Sequence, residues 1–283
     1  MVRFTVLSEN RDNCGLKGEA GLSLLVEVGE EKFLLDAGFS DLFLKNAKSL
    51  GIDVEDVKTV IFTHGHSDHT NGIVYLKKPK NVIMHPAGFK ARWSIRRKEF
   101  AGFPEKREDL EKKHNLLLSS SSVQVFPDVY FLGEIPMNVD FESNGNFATT
   151  LDANFTQTDF TEDDSGIAIK TEKGLVVMVG CGHRGICNAL EHAKQITGEN
   201  RIFAVLGGFH LRKLDDKKTI INKTIEYLNN NGVQALYLGH CISDDVIDYF
   251  EQVMEDVKIF RLGVGKKFDV LNQKEENLAE ALV

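Results

Sequence analysis

The run Thr63-His64-Gly65-His66-Ser67-Asp68-His69 places three histidines and an aspartate within six residues, directly after the apolar stretch Val60-Ile61-Phe62. A buried strand ending there delivers four candidate metal ligands on one turn. His64 and His66, two residues apart, can point to the same side of an extended turn and grip one cation. Asp68 and His69 then face a second position beside it. Neutral imidazole suits zinc, iron and manganese, and the harder carboxylate accepts any of these, so the cluster by itself names no metal.

Other candidate donors follow other apolar strands. Leu175 to Val179 leads into Cys181 and His183, Phe203 to Leu206 into His210, and Ala235 to Leu238 into His240. Donors from distant points of a chain converge when they all sit at one end of their strands, as sites on α/β scaffolds do. Glycine borders each position, at Gly180, Gly182, Gly207, Gly208 and Gly239, and permits unusual backbone angles and close approach. His192 falls inside an expected helix and His114 in a charged excursion, so both are read as structural. Cys14, Cys181, Cys187 and Cys241 form neither a disulfide framework nor a CxxC pair.

The elements that must carry these residues read as follows. Arg3 to Ser8 is a strand, Glu9 to Ala20 a loop holding Cys14, and Leu22 to Val28 with Lys32 to Leu35 a hairpin across Gly29-Glu30. The hairpin ends in Asp36-Ala37-Gly38, a turn whose carboxylate is a candidate for orienting a ligating histidine. Ser40 to Leu50 is helical, Val57 to Phe62 is the strand before the histidine run, and Asn81 to Met84 is a strand ending at His85, a candidate substrate contact. Val123 to Glu134 and Ile167 to Val179 are strand regions, the second folding back at Glu172-Lys173-Gly174. Asn144 to Asp164 between them is a polar loop rich in Thr and Asp, of a length that is often functional. Helices over Ile186 to Thr197, Thr219 to Asn230 and Asp244 to Met254 then alternate with strands Ile202 to Leu206 and Ala235 to Leu238. Strand-rich halves each followed by helices predict an α/β fold of two sheets packed face to face with helices outside.

The histidine run resembles the HxHxDH signature of the metallo-β-lactamase superfamily at every defined position. Gly180-Cys181-Gly182-His183, Gly207-Gly208-Phe209-His210 and Gly239-His240-Cys241 further resemble the subgroup named for dihydropterin-ribofuranosylaminobenzene phosphate synthase. The likeness covers nearly the whole chain. It implies a four-layer αββα sandwich, one domain over 1–283, with a two-metal site at the sheet edges. It also implies Asp36 close to the metals and Asp68 able to take part in proton transfer. The implied metals are two divalent ions, zinc first, with manganese, iron or magnesium as alternatives. Most superfamily members place a bridging aspartate where this chain has Cys181; a thiolate ligates zinc as well, and His210 and His240 compete for one position. The implied chemistry is metal-assisted hydrolysis, in which two cations acidify a shared water to hydroxide that attacks carbon or phosphorus, or a related pterin-type displacement.

Residues Gly88 to Asn115 differ from their surroundings. Lys90 to Lys113 holds nine Lys/Arg and five Asp/Glu, interleaved with Trp93, Phe100 and Phe103. This predicts a helical insertion at about 87–115, either with a solvated charged face or as a lid. In the lid reading, Arg92, Arg96 and Arg97 are candidates for binding a substrate phosphate or carboxylate. The expected partner is therefore a small anionic molecule. A net charge of -8 argues against a general nucleic-acid or anionic-membrane surface. No apolar run spans a bilayer and Met1-Val2-Arg3-Phe4 has no signal-peptide core, so a cytoplasmic location is expected. Two rivals stand beside hydrolysis. A non-haem iron redox protein on the same fold needs an electron donor such as a fused flavin domain, for which 283 residues leave no room. A purely structural zinc needs about four ligands, and this chain offers more.

Overall fold

The computed structural model describes residues 1–13, 15–142 and 148–282. Cys14 and the 144–147 part of the expected polar loop lie outside the described residues. The chain forms two compact units, each assembled from separate segments. One comprises Met1–Ser120, Phe147–Asp159 and Leu262–Val283; the other comprises Ser121–Asn146 and Phe160–Arg261.

The first unit is built on an eight-stranded mixed sheet. In spatial order its strands are Lys274–Asn277, Lys266–Asp269, Val2–Ser8, Ser23–Val28, Glu31–Leu35, Thr59–Ile61, Asn81–Met84 and Asn115–Leu118. The last four run parallel, with Leu35 beside Ile61 and Ile61 beside Ile83. Their carboxyl ends therefore lie along one sheet edge, and Asp36, the histidine run and His85 all begin there. Buried Leu34, Val60, Phe62, Val82 and Met84 pack with Phe43 and Ala47 of helix Leu42–Ser49. Each such large side chain contributes about 1.5–3 kcal/mol on burial, which fixes the register that aligns the edge.

The insertion at 87–115 is not the helix that the sequence predicts. It holds a 3-10 turn at Pro86–Phe89, a two-residue strand at Trp93–Ser94 and one helical turn at Arg107–Leu110. Trp93 and Phe100 fit a helical repeat on paper, but a tight reversal with Lys98 at φ 58° brings their rings together edge to face, with centroids 5.6 Å apart. Strand Trp93–Ser94 pairs with Thr149–Thr150. Phe103 follows Gly102, precedes Pro104 and is buried 5.6 Å from the Phe62 ring. Aromatic anchoring plus two helix breakers outweighs the apparent amphipathic period.

The second unit carries a seven-stranded sheet. Its order is Lys258–Arg261, Ala235–Leu238, Ile202–Gly207, Gly174–Val179, Gly166–Thr171, Val129–Phe131 and Val123–Phe126. The first four are parallel. Helices Ile186–Thr197, Leu214–Asn230 and Asp244–Val253 supply the apolar partners of this sheet, among them Leu190, Ile221 and Ile247. The middle helix starts five residues earlier than its apolar pattern predicts. Asp245 explains this, because its carboxylate accepts a hydrogen bond from the Leu214 N–H at 2.9 Å and so caps a polar first turn.

Candidate metal centre

In the first unit, the histidine run is held by bonds that decide the protonation of each ring. Asp36 sits at the end of its strand with φ 61°, a left-handed conformation that a short polar side chain tolerates. Its Oδ1 accepts the Thr63 backbone N–H at 2.8 Å. Its Oδ2 accepts the Thr63 hydroxyl at 2.8 Å and pairs with His69 Nδ1 at 2.7 Å. A carboxylate only accepts, so His69 carries its proton on Nδ1 and keeps the lone pair on Nε2. The Thr63 hydroxyl has one hydrogen and gives it to Asp36. At 3.0 Å from His64 Nδ1, its oxygen must then accept, which leaves the His64 lone pair on Nε2.

The same logic fixes His66. Thr149 Oγ1 donates to Asp159 Oδ2 at 2.7 Å, so at 3.0 Å it accepts from His66 Nε2. The lone pair of His66 therefore lies on Nδ1, and this atom faces His64 Nε2 at 3.0 Å. Two lone pairs at that distance repel unless a cation stands between them. Two nitrogens bound to one zinc at about 2.0–2.1 Å lie roughly 2.9–3.4 Å apart for angles of 90–109°. The observed spacing fits that edge, and the His69 ring lies 4.2 Å from the His64 ring. All three histidines are buried, whereas Asp68 is half-buried. Its carbonyl accepts the Leu22 N–H at 3.1 Å.

In the second unit, the donors follow the carboxyl ends of adjacent parallel strands. Cys181, His240 and Cys241 are buried, and their ligand atoms lie within 4.8 Å of one another. The His183 and His210 rings are 4.4 Å apart. Their placement comes from unusual backbone, since Phe209 (φ 55°), His210 (50°) and His240 (61°) are all left-handed, as is Gly182 (65°). Strain of this kind is retained where the surroundings over-determine it. Gly208 is needed for proximity: a Cβ there would meet Cys241 Sγ at 2.2 Å.

Cys187 is not a plausible thiolate donor, because burial and then the neighbouring Glu142 push its thiol well above the ordinary range. His192 and His114 hold structural bonds, to the Leu132 carbonyl at 2.9 Å and from the Lys80 N–H at 3.1 Å.

The expected substrate contacts separate into distinct groups. Arg92 is fully buried, its Nε on Asp159 Oδ2 at 2.7 Å and its Nη atoms on the Gly88 and Ala87 carbonyls at 3.2 and 3.3 Å. A guanidinium so engaged braces the fold instead of being offered to a substrate. Arg97 is exposed and paired with Glu99 at 2.7 Å, and Arg96 is exposed. His85 is buried, with Nδ1 accepting the Ala87 N–H at 3.1 Å, so its proton sits on Nε2. Thr63, Thr149, Asp159 and Cys241 take part in the two donor sets without having been singled out as site residues from the sequence. The polar 144–164 loop and the Gly239-His240-Cys241 run were the available signals for the last three.

Comparison with known proteins defines the class. A sequence model of the metallo-beta-lactamase superfamily matches residues 16–134. Among solved structures, Tm1679, a metal-dependent hydrolase of the beta-lactamase superfamily, superposes with a TM-score of 0.81 at 29% identity, covering 95% of this chain and 99% of that one. The chain belongs to the metallo-β-lactamase superfamily and has its mixed α/β fold. Within it, the chain is 34% identical over 264 residues to 7,8-dihydropterin-6-methyl-4-(beta-D-ribofuranosyl)-aminobenzene-5'-phosphate synthase of Methanocaldococcus jannaschii, spanning 87% of this chain and 88% of the relative. It is 25% identical over 271 residues to exodeoxyribonuclease WalJ of Streptococcus pneumoniae, spanning 89% and 90%. Among the described residues no helix is long and apolar enough to cross a membrane.

Proposed function

We propose that this protein is a metal-dependent hydrolase acting on a phosphorylated or otherwise anionic small molecule. The observation that carries the reading is the pair of lone pairs, His64 Nε2 and His66 Nδ1, fixed 3.0 Å apart by two separate hydroxyl–carboxylate couples. His64, His66, Asp68 and His69 in the first unit, and Cys181, His183, His210 and His240 in the second, are the donors assigned to metal ions. Divalent cations held by these residues supply Lewis acidity toward a substrate oxygen and acidify water. Zinc is the first choice for a donor set of imidazole, carboxylate and thiol, and two ions per chain is the expected occupancy.

The chain's own contributions follow from its geometry. Asp36 holds His69 and Thr63, and so keeps two ligating rings in one tautomer. Asp68, half-buried, is the group assigned to carry a proton between water and leaving group. Arg96 and Arg97 on the exposed reversal are the cations offered to the substrate anion, and His85 contributes an Nε2–H donor. The net charge of -8 favours a small molecule over a nucleic acid, even though one relative is named an exodeoxyribonuclease.

A second reading, a synthase of the pterin-related type, is favoured by the 34% identity to the M. jannaschii enzyme. The deciding experiment starts with elemental analysis of protein purified without added metal. Near two zinc or manganese ions per chain supports the reading; predominantly iron, with oxygen consumption, overturns it in favour of redox chemistry. The metal-loaded protein is then assayed for phosphoester hydrolysis and for formation of 7,8-dihydropterin-6-methyl-4-(beta-D-ribofuranosyl)-aminobenzene-5'-phosphate, the product for which that relative is named. Release of phosphate supports the hydrolase, and product formation alone supports the synthase. Joint Arg96→Ala and Arg97→Ala replacement is expected to raise KM for phosphorylated substrates several-fold with kcat little changed.

A further inference from the structure

The buried arginine of the basic excursion has no place in the chemistry above, yet its bonds lead to a proposed metal ligand. We propose that Arg92, Asp159 and Thr149 form a positioning relay that sets the tautomer of His66 and aims its Nδ1 at the metal. The proposal rests on the reading of His66 as a ligand.

Each link is a hydrogen bond between buried groups. Arg92 Nε donates to Asp159 Oδ2 at 2.7 Å, and the same oxygen accepts the Thr149 hydroxyl at 2.7 Å. With its hydrogen committed, Thr149 Oγ1 can only accept from the imidazole 3.0 Å away. Asp159 lies 3.9 Å from the same His66 nitrogen, too far for a direct bond, so the hydroxyl is the required intermediary. Arg92 also acts through the backbone. It holds the Gly88 carbonyl at 3.2 Å, and that oxygen packs against Gly65, where a Cβ would come within 2.0 Å of it. Gly65 is the residue between His64 and His66. One guanidinium thus braces both the ring of His66 and the turn that carries it.

This differs from the way Asp36 serves His69, where a carboxylate touches the ring directly. A hydroxyl between the carboxylate and the ring keeps the tautomer but separates the ring from the negative charge. Removing the hydroxyl leaves a neutral ring whose proton is free to move to Nδ1, the atom needed for the metal.

Thr149→Val keeps the shape and deletes the hydroxyl; Thr149→Ser restores it. Zinc affinity by competition titration, the thermal midpoint of the metal-free protein and the His66 tautomer by nitrogen-15 NMR are measured for both, with His66→Ala as the reference. The relay predicts that Thr149→Val weakens zinc binding about 10–100-fold, as loss of a partner behind a ligating histidine typically does. The metal-free midpoint stays within a few degrees of the parent, and the His66 resonance shifts toward the Nδ1–H form. Thr149→Ser returns all three readouts to the parent. Equal zinc affinity in Thr149→Val and the parent, with affinity lost in His66→Ala, overturns the relay and leaves the ligand assignment standing. Unchanged affinity in His66→Ala overturns the ligand assignment itself. If Thr149→Val and Thr149→Ser weaken binding equally, packing and not the hydroxyl is responsible, and the relay is wrong.

Discussion

The two donor sets are held in place by different means. In the first unit, each histidine of the 64–69 run is fixed through its outer nitrogen by a side chain: Thr63 for His64, Thr149 for His66 and Asp36 for His69. In the second unit, the donors are placed by backbone, through left-handed Phe209, His210 and His240 and the close approach of Gly208 to Cys241. Side-chain bracing sets which atom carries a proton, whereas backbone bracing sets only where the donor lies. The first tells the two nitrogens of an imidazole apart, and the second fixes position alone, for the imidazoles of His210 and His240 as for the thiol of Cys241.

The strongest way to break this contrast is at glycine. Gly65→Ala drives a Cβ to 2.0 Å from the Gly88 carbonyl, a backbone atom that Arg92 holds in place, and is expected to cost at least ~3 kcal/mol in denaturant unfolding. Gly208→Ala meets chiefly the Cys241 side chain, with Sγ at 2.2 Å and the Cys241 backbone nitrogen at 2.9 Å, and is expected to cost about 1–2 kcal/mol. An equal cost at both positions would show that the carbonyl yields as readily as a side chain. Asp36→Asn sharpens the contrast further. The carboxylate accepts three hydrogen bonds, from Thr63 N, Thr63 Oγ1 and His69 Nδ1, and an amide brings two hydrogens toward those donors. Zinc affinity is expected to fall about 10–100-fold by competition titration, and a fall below threefold would remove the tautomer argument.

How much of this the sequence could show depended on the kind of signal. The parallel strands and their terminal donors were legible because apolar runs ending in glycine or histidine are local patterns. The Thr149 hydroxyl and Asp159 carboxylate were not, since their importance comes from a pairing with Trp93–Ser94 made more than fifty residues away. Arg92 misled for a related reason: a basic residue among basic residues reads as surface until its buried acceptors are known. The helical period of the excursion failed because Trp93 and Phe100 meet across a reversal and not along a helix. Residue type marked the candidate donors, and tertiary contacts assigned the tautomers.

The smallest expected effect concerns acid stability in the second unit. Burial pushes the Glu142 carboxyl above its ordinary 4.5, although it accepts the Cys187 and Asn188 N–H groups at the start of helix Ile186–Thr197. The folded chain therefore favours the protonated form. Its contribution is fully present below pH 4.5 and is lost as pH rises through the raised value. The stability of the parent relative to Glu142→Gln should accordingly decline as pH increases across that window, measured by chemical unfolding at several pH values. A difference that is flat or rises with pH would contradict the raised assignment.

The hairpin from Ser94 to Glu99 is joined to the rest of its unit by anchors that lie outside its tip: Arg92 before it and Phe103 after it, both buried. Arg96 and Arg97 stand at the exposed reversal between them. Such an arrangement separates what evolution must preserve from what it can trade. Substitutions or length changes at the tip leave the braces of the histidine run untouched, so this exposed surface can vary while the buried histidines keep their geometry.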